Sequence, residues 1–292
     1  MPVLSARVVG LLLALAAPLS WSIGGVIIRS VEAAPWDIVF WRAAGHVLCF
    51  PLAMWWLWGR SALLDARAVG MPALAVAFLI GCTLIFHVLA MTGTTVANVL
   101  ILQSMSPLLV AVLAWVFLNE RLPLSGWLVL AMAFCGLALV IGGSLGGGGM
   151  TGNLFALAVA LCSASHVTIV RRHRARNLAA VTLPAAIAAS AIALLFAQPL
   201  TVNLTDIGLL ILLGGVQMSL GLTCFILALR YLPAAEVTLI ALLEPILGPI
   251  WVWLAIGEQP ALTTLLGGAI VLGALVAHVT LAARRGRALP SP

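Results

Sequence analysis

Residues 106–120 read SPLLVAVLAWVFLNE, and residues 244–258 read EPILGPIWVWLAIGE. Pro107, Trp115 and Glu120 of the first stretch return as Pro245, Trp253 and Glu258 of the second, in each case 138 residues later. The same offset aligns further apolar pairs without a gap, namely Ala90/Ala228, Ala97/Ala235, Val99/Val237, Leu109/Leu247, Leu124/Leu262 and Leu137/Leu275. We interpret the chain as a duplication, with one repeat in residues 1–145 and a second in residues 146–292.

Both matched prolines, Pro107 and Pro245, lie inside long apolar segments. A proline removes a backbone hydrogen bond that lipid cannot replace. Interrupted helices in equivalent positions of two halves are typical of the substrate site of a membrane transporter. The pattern therefore predicts two helix kinks beside a binding site.

The composition indicates an all-α integral membrane protein. Hydrophobic residues make up 64% of the chain and charged residues 8%, with a mean hydropathy of +1.23. Soluble domains average roughly 25% charged residues. The net charge of +6 does not indicate nucleic-acid binding, because the arginines lie between apolar segments rather than on one face. The lipid bilayer is the expected partner, and nucleic acid is not.

A transmembrane helix needs about 20 mostly apolar residues. By that measure the sequence predicts ten spans: roughly 7–30, 35–58, 70–91, 95–118, 123–143, 152–170, 178–198, 205–230, 233–256 and 260–282. The glycine-rich stretch from Gly142 to Gly152 is interpreted as the linker between the halves. The first span resembles a signal peptide at Ala14–Ala16, but its apolar sequence continues to Ile28, so we expect it to be retained.

Arginine placement predicts the orientation. With both termini in the cytoplasm, the inner connections hold twelve arginines and the outer ones hold only Arg29. Five spans per half is an odd number, so the second half enters from the opposite side. The predicted architecture is therefore two inverted five-helix repeats around a central cavity, a design that supports alternating access. Because each chain carries both repeats, we expect a monomer.

Several runs carry a family likeness: Ala228 to Glu236 (ALRYLPAAE), Leu-Leu-Glu244-Pro245, Ala255-Ile-Gly-Glu258 and, in the first half, Ser106 to Arg121. They resemble the EamA repeat of the drug/metabolite transporter superfamily over essentially the whole chain. One departure is the stretch from Ala90 to Ala97, which replaces the usual LKYxxA at the turn between helices three and four.

The resemblance implies a ten-helix exporter of the bacterial inner membrane. It places helices one, three, four, six, eight and nine around the cavity. Bacterial members commonly export amino acids, and this chain looks most like the aromatic-amino-acid exporters. The expected cargo is a small amphipathic solute, with other metabolites or drugs, such as purines, as the alternative.

Glu244 is the sharpest candidate for function, because it lies near the middle of the ninth span beside Pro245. A charge at the bilayer centre costs about 2.5–3.5 kcal/mol on insertion scales, so such residues usually face a cavity or a partner. Glu244 is expected to contact a substrate ammonium or to exchange a proton, with protons as the coupling ion. The alternative is a protonated carboxyl that hydrogen-bonds a carbonyl freed by the kink.

Other polar residues within the spans are weaker candidates for substrate binding: Trp21, Ser22, His87, Asn98, Gln103, Ser106, His166 and Gln217. For Gln103 the alternative is an ordinary hydrogen bond between helices. For each histidine the alternative is a helix-packing donor. Arg42, inside the second span, is expected to pair with Asp37 or to reach outward in a structural role. The pairs Gly24/Gly25, Gly214/Gly215 and Gly267/Gly268 predict close helix crossings.

The motifs that would indicate other functions are not in this sequence. It has no Walker motif to bind ATP, no HExxH or paired metal spacing, and no GxSxG or nucleophile–base pair. We therefore expect no cofactor, no metal and no enzyme activity. An integral membrane enzyme and a channel or scaffold are the alternatives to a secondary transporter.

Overall fold

Helices account for all regular structure in the residues that the computed structural model describes, 6–58, 71–119, 124–143, 149–173 and 178–288. A π-helical turn at Leu213–Met218 joins the helix that ends at Leu212 to the one that begins at Ser219, and a short 3-10 turn occupies Pro199–Thr201. In chain order the α-helices are α1 (Ala6–Ser22), α2 (Gly24–Ser30), α3 (Pro35–Trp58), α4 (Met71–Gly93), α5 (Val96–Gln103), α6 (Ser106–Leu118), α7 (Leu124–Gly142), α8 (Met150–His173), α9 (Leu178–Leu194), α10 (Leu204–Leu212), α11 (Ser219–Ala228), α12 (Ala234–Ala241), α13 (Glu244–Ile256) and α14 (Leu262–Ala288).

Some predictions fall outside the described residues: Glu120 and the inner arginines Arg60, Arg67, Arg121, Arg174 and Arg176. Among the described residues, eight helical stretches are long and apolar enough to cross a membrane. The two other predicted spans correspond to α3, of 24 residues, and to α9, whose apolar part Val181–Leu194 is shorter. The protein is therefore a multi-pass membrane protein, and the count of ten crossings stays a prediction.

The fourth and ninth predicted spans are each broken near their middle. α5 ends at Gln103 and α6 begins at Ser106, while α12 ends at Ala241 and α13 begins at Glu244. At each break the backbone closes with tighter i→i+3 hydrogen bonds, such as Leu108 N to Met105 O and Ile246 N to Leu243 O. Pro107 and Pro245 are the second residues of the new helices, where the missing N–H removes no helical bond.

The packing partners follow a twofold pattern. The pair α4–α8 has its counterpart in α11–α1, and the pair α4–α9 has its counterpart in the π turn on α3. The pairs α3–α9 and α7–α14 each join equivalent positions of the two halves, and α5–α13 joins the fourth predicted span to the ninth. The pattern agrees with the 138-residue offset of the sequence.

Close crossings occur where the glycine pairs predicted them. Gly214 and Gly215 lie against the backbone of α3, and a Cβ added at Gly214 would overlap the carbonyl of Arg42. Gly267 of α14 lies against the carbonyl of Gly136 in α7. Helices in lipid associate largely through such close packing, because lipid tails are as apolar as the helix surfaces.

Candidate functional site

A central cavity lies between the helices, beside both breaks. It consists of two adjoining chambers of about 200 and 530 Å³. Both chambers are lined by Trp21 of α1, Arg42 of α3, His87 of α4, Gln103 of α5 and Glu244 of α13. Five separate helices thus bring polar or aromatic groups to one apolar-walled space, the usual character of a small-molecule site.

The predicted binding residues divide into two groups. Seven line the central cavity, and they are Trp21, His87, Gln103, Ser106, His166, Gln217 and Glu244. Ser22 and Asn98 are buried elsewhere. The Ser22 hydroxyl donates to Leu19 O and accepts from the Trp251 indole, so it joins α1 to α13. The roles of the seven remain proposals.

The π turn places Gln217 against the first helix. The Gln217 amide nitrogen donates to the backbone oxygen of Trp21 at 2.9 Å, and Ser20 donates to the backbone oxygen of Gln217. Since a carbonyl only accepts, the side-chain oxygen of Gln217 is fixed on the other side, where it has no hydrogen-bond partner. π turns are rare in proteins overall, but those that occur are often found at functional sites. The π turn at Leu213–Met218 was not predicted from the sequence.

His87 and Gln103 form a pair across the cavity wall. The His87 Nδ1 atom lies 3.1 Å from the side-chain oxygen of Gln103. With Nδ1–H as the donor, the Gln103 amide nitrogen is left without a partner. His166 also has an unpartnered Nδ1 and lines the larger chamber. Gln103 and His166 thus each carry a buried polar atom with no partner among the described residues.

The expectation for Arg42 was wrong. Asp37 accepts a hydrogen bond from the backbone N–H of Gln198 at 2.6 Å, which fastens α3 to the segment after α9. Arg42 is buried, lines both chambers, and its Nε atom has no hydrogen-bond partner. Arg42 follows Asp37 by five residues, which places it about 140° further around α3, so the two side chains lie on different faces of the helix. Arg42 is the functional candidate that the sequence reasoning missed.

Arg42 and Glu244 are the two charged groups that line the central cavity among the described residues. No direct salt bridge joins them. The structure gives the Glu244 carboxylate no hydrogen bond from another described residue. A buried polar group left unpaired costs about 1–3 kcal/mol, and more when it is charged. The unpaired groups therefore make the central cavity a candidate binding site among the described residues.

At one end of the bundle, Arg29 and Glu258 form an ion pair that we call the latch. Arg29 Nε lies 3.1 Å from a Glu258 oxygen, and Arg29 also donates to the backbone oxygen of Thr94. The other Glu258 oxygen accepts from the backbone N–H of Val96 at 2.7 Å. The latch thus ties together the end of α2, the turn between α4 and α5, and the loop before α14.

Asn98 belongs to a polar network just beneath the latch. Its side chain donates to Asn153 of α8 and accepts from Thr264 of α14 at 2.7 Å. The turn above it is built differently from the LKYxxA pattern, since Thr95 caps α5 by accepting from Asn98 N–H. Asn98 therefore holds helices together at the latch end of the bundle.

The opposite end of the bundle carries a second ion pair, which also joins the first predicted span to an end of the ninth. Arg7 at the start of α1 lies 3.3 Å from Glu236 in α12. The Arg7 side chain is 69% exposed, whereas both latch side chains are about a quarter exposed or less, at 26% and 21%. The Arg7–Glu236 pair is a surface contact, and the latch is the better shielded of the two.

No group of three or more His, Cys, Asp or Glu side chains among the described residues is placed to hold a metal ion.

Comparison with known proteins gives consistent results. The model of the EamA-like transporter family matches residues 8–142 and again residues 150–280. The chain is 27% identical to proteins described as "Pseudopaline exporter CntI" from two strains of Pseudomonas aeruginosa, over 92% of this chain and 95% of theirs. A solved structure, titled only as the crystal structure of a protein, superposes with a TM-score of 0.60 at 19% identity, over 96% of this chain and 98% of that chain. At that identity the superposition shows a shared fold alone.

Proposed function

The chain belongs to the EamA-like transporter family, and we propose that it is a secondary transporter that exports small amphipathic solutes, with amino acids as the first cargo class and aromatic or hydrophobic ones foremost. The observation that carries the proposal is the central cavity, where Arg42, Glu244 and Trp21 line the same space inside an apolar bundle. Its two chambers have the size of a small-molecule site rather than of an open pore. We place the protein in a bacterial inner membrane, as a monomer with both termini in the cytoplasm.

The proposed mechanism is alternating access between inverted repeats. It is supported by the two helix breaks at equivalent positions and by the twofold pattern of packing partners. Two matches of the family model, one in each half, support the division near residues 145 and 146. Exchanging the conformations of the two halves converts a cavity that faces one side into one that faces the other.

A second cargo class is supported by the relatives. The two Pseudomonas proteins are named for the export of pseudopaline, and the similarity extends over nearly the whole of both chains. Pseudopaline is therefore the reference compound to set against amino acids.

Counterflow in proteoliposomes tests the proposed function. Vesicles loaded with unlabelled amino acid are expected to accumulate the labelled compound transiently, because a carrier exchanges one molecule for another. Protein-free vesicles are the control. Uncoupled leak of the label would instead indicate a channel. Exchange of pseudopaline with none of the amino acids would move the protein to the second cargo class.

Replacing Glu244 with Gln tests how this carboxyl takes part. Gln keeps the shape of the side chain but neither titrates nor attracts a cation. We expect Glu244→Gln to reduce counterflow by at least about tenfold, because the bound ammonium of the cargo would lose its buried counter-charge, and to flatten its dependence on pH. Glu236→Gln, in the surface pair with Arg7, is the matched control and should leave the rate nearly unchanged. A Glu244→Gln rate and pH profile equal to the wild type would leave this carboxyl with only a structural role in the kink.

A further inference from the structure

The polar groups of the central cavity divide into donors and acceptors. Arg42 and Gln103 each have a buried nitrogen with no hydrogen-bond partner among the described residues. Gln217 has a buried unpartnered oxygen, and the Glu244 carboxylate forms no direct salt bridge with Arg42. All four residues line the smaller chamber together. Two donors and two acceptors therefore surround one space of about 200 Å³, and the Arg42, Gln103 and Gln217 atoms among them have no partner in the described residues.

The two charges also stay apart. An arginine and a glutamate in a low-dielectric space attract each other strongly, yet Arg42 and Glu244 form no direct salt bridge. Each is held by its own element: the carbonyl of Arg42 lies against Gly214 of the π turn, and Glu244 is the first residue of α13. The arrangement leaves both charges available to a third group.

From this arrangement we infer which residues of the smaller chamber bind the two charged ends of the proposed amino-acid cargo. Arg42 and Gln103 bind the carboxylate, and Glu244 and Gln217 bind the ammonium. A guanidinium is the side chain best suited to a carboxylate, because it offers several donors in one plane. This inference rests on the proposed transport function and names the residues that select its cargo.

The apolar wall assigns a place to the rest of the cargo. Trp21 lines both chambers, and its indole lies 5.7 Å from the ring of Phe225 in the larger one. Gly221 of α11 makes room for that indole, since an added Cβ would overlap it. The cargo side chain would thus extend from the charged chamber along these two rings.

Competition against labelled phenylalanine counterflow tests the inference with three compounds that share one side chain: phenylalanine, phenylalaninamide and N-acetylphenylalanine. The amide keeps only the ammonium, and the acetyl compound keeps only the carboxylate. In the wild type we expect phenylalanine to compete at least about tenfold better than either, since each analogue leaves one buried charge unpaired. Equal competition by either analogue would overturn the inference without any mutation.

Variants assign each end of the cargo to its residue. In Arg42→Gln the amide should compete as well as phenylalanine, while the acetyl compound remains excluded. In Arg42→Lys, which keeps the positive charge, the preference for a free carboxylate should largely return. A structural role for Arg42 would lower all three compounds alike, and an unchanged tenfold preference in Arg42→Gln would overturn the assignment. Wild-type vesicles that exchange no amino acid would contradict the proposed cargo itself, which separates the two failures.

Discussion

Reversing one charge of the latch, Arg29→Glu, is expected to reduce transport by at least about tenfold. The substitution sets a second carboxylate beside Glu258 in place of an ion pair at 3.1 Å and removes the hydrogen bond to Thr94. Hydrogen bonds to charged groups contribute about 1.5–3 kcal/mol each. The free-energy cost of the substitution is therefore larger than the loss of a single ion pair. The end of the bundle that the latch holds closed should then stay open. Alternating access, in which one end is closed while the other is open, should therefore fail.

Cysteine labelling measures that opening directly. In a background without the five native cysteines, a cysteine at position 103 would report on the cavity. We expect a membrane-impermeant thiol reagent added outside to label it faster in Arg29→Glu than in the unmodified latch. The double exchange Arg29→Glu/Glu258→Arg should recover only part of the closure, because the Val96 N–H then loses its carboxylate acceptor.

The surface pair supplies the control. Arg7→Glu reverses the charge of a pair at 3.3 Å at the start of α1, in a side chain that is 69% exposed. Exposed pairs contribute about 0–1 kcal/mol, so a change of less than about fivefold is expected. Equal effects of Arg7→Glu and Arg29→Glu would mean that net charge, rather than the latch, controls transport.

The helix breaks were readable from the sequence because proline acts locally. Pro107 and Pro245 cannot occupy the interior of an α-helix without loss of a backbone bond, so a break one or two residues earlier follows from the residue type alone. Glu244 was readable for a similar reason, since an acidic residue in the middle of an apolar span demands an explanation wherever it points. Both features lie at the central cavity.

Arg42 was misjudged because a sequence does not say which way a residue in a membrane span faces. The helices are apolar all round, so there is no polar stripe from which to assign an inner face. Asn98 shows the same difficulty in reverse, since it resembles a cavity residue by type but is buried in the network with Asn153 and Thr264. Only the packing of neighbouring helices shows that Arg42 faces the central cavity and that Asn98 does not.

The latch and the π turn were beyond sequence reasoning for a different reason. Glu258 was visible only as a marker of the repeat, because its partner Arg29 is 229 residues away along the chain. The π turn depends on the close approach of α3, which Gly214 and Gly215 permit. A glycine pair predicts a crossing, but it does not predict how the backbone of either helix responds.

Gly214→Ala is expected to be strongly destabilising for so small a change. The new Cβ would overlap the backbone carbonyl of Arg42, and a backbone atom cannot turn aside as a flexible side chain can. The π turn and α3 would have to separate, at a cost of roughly 1–3 kcal/mol, as for overpacking of a tight core. In thermal unfolding of the purified protein in detergent, the midpoint should fall by roughly 3–10 °C, since 1 kcal/mol corresponds to about 2–4 °C in chains of this size class.

Gly208→Ala is the matched control for the same substitution. Gly208 lies in α10, two turns before Gly214, and a Cβ added there meets nothing within 4 Å. Alanine is favoured over glycine in a helix by about 0.8–1 kcal/mol, so this variant should unfold at the wild-type temperature or slightly above. Because Gly214 supports the carbonyl of Arg42, its variant should also weaken the preference for a free carboxylate, which Gly208→Ala should keep. Equal midpoints for the two variants would show that the crossing of α3 and the π turn is looser than the structure has it.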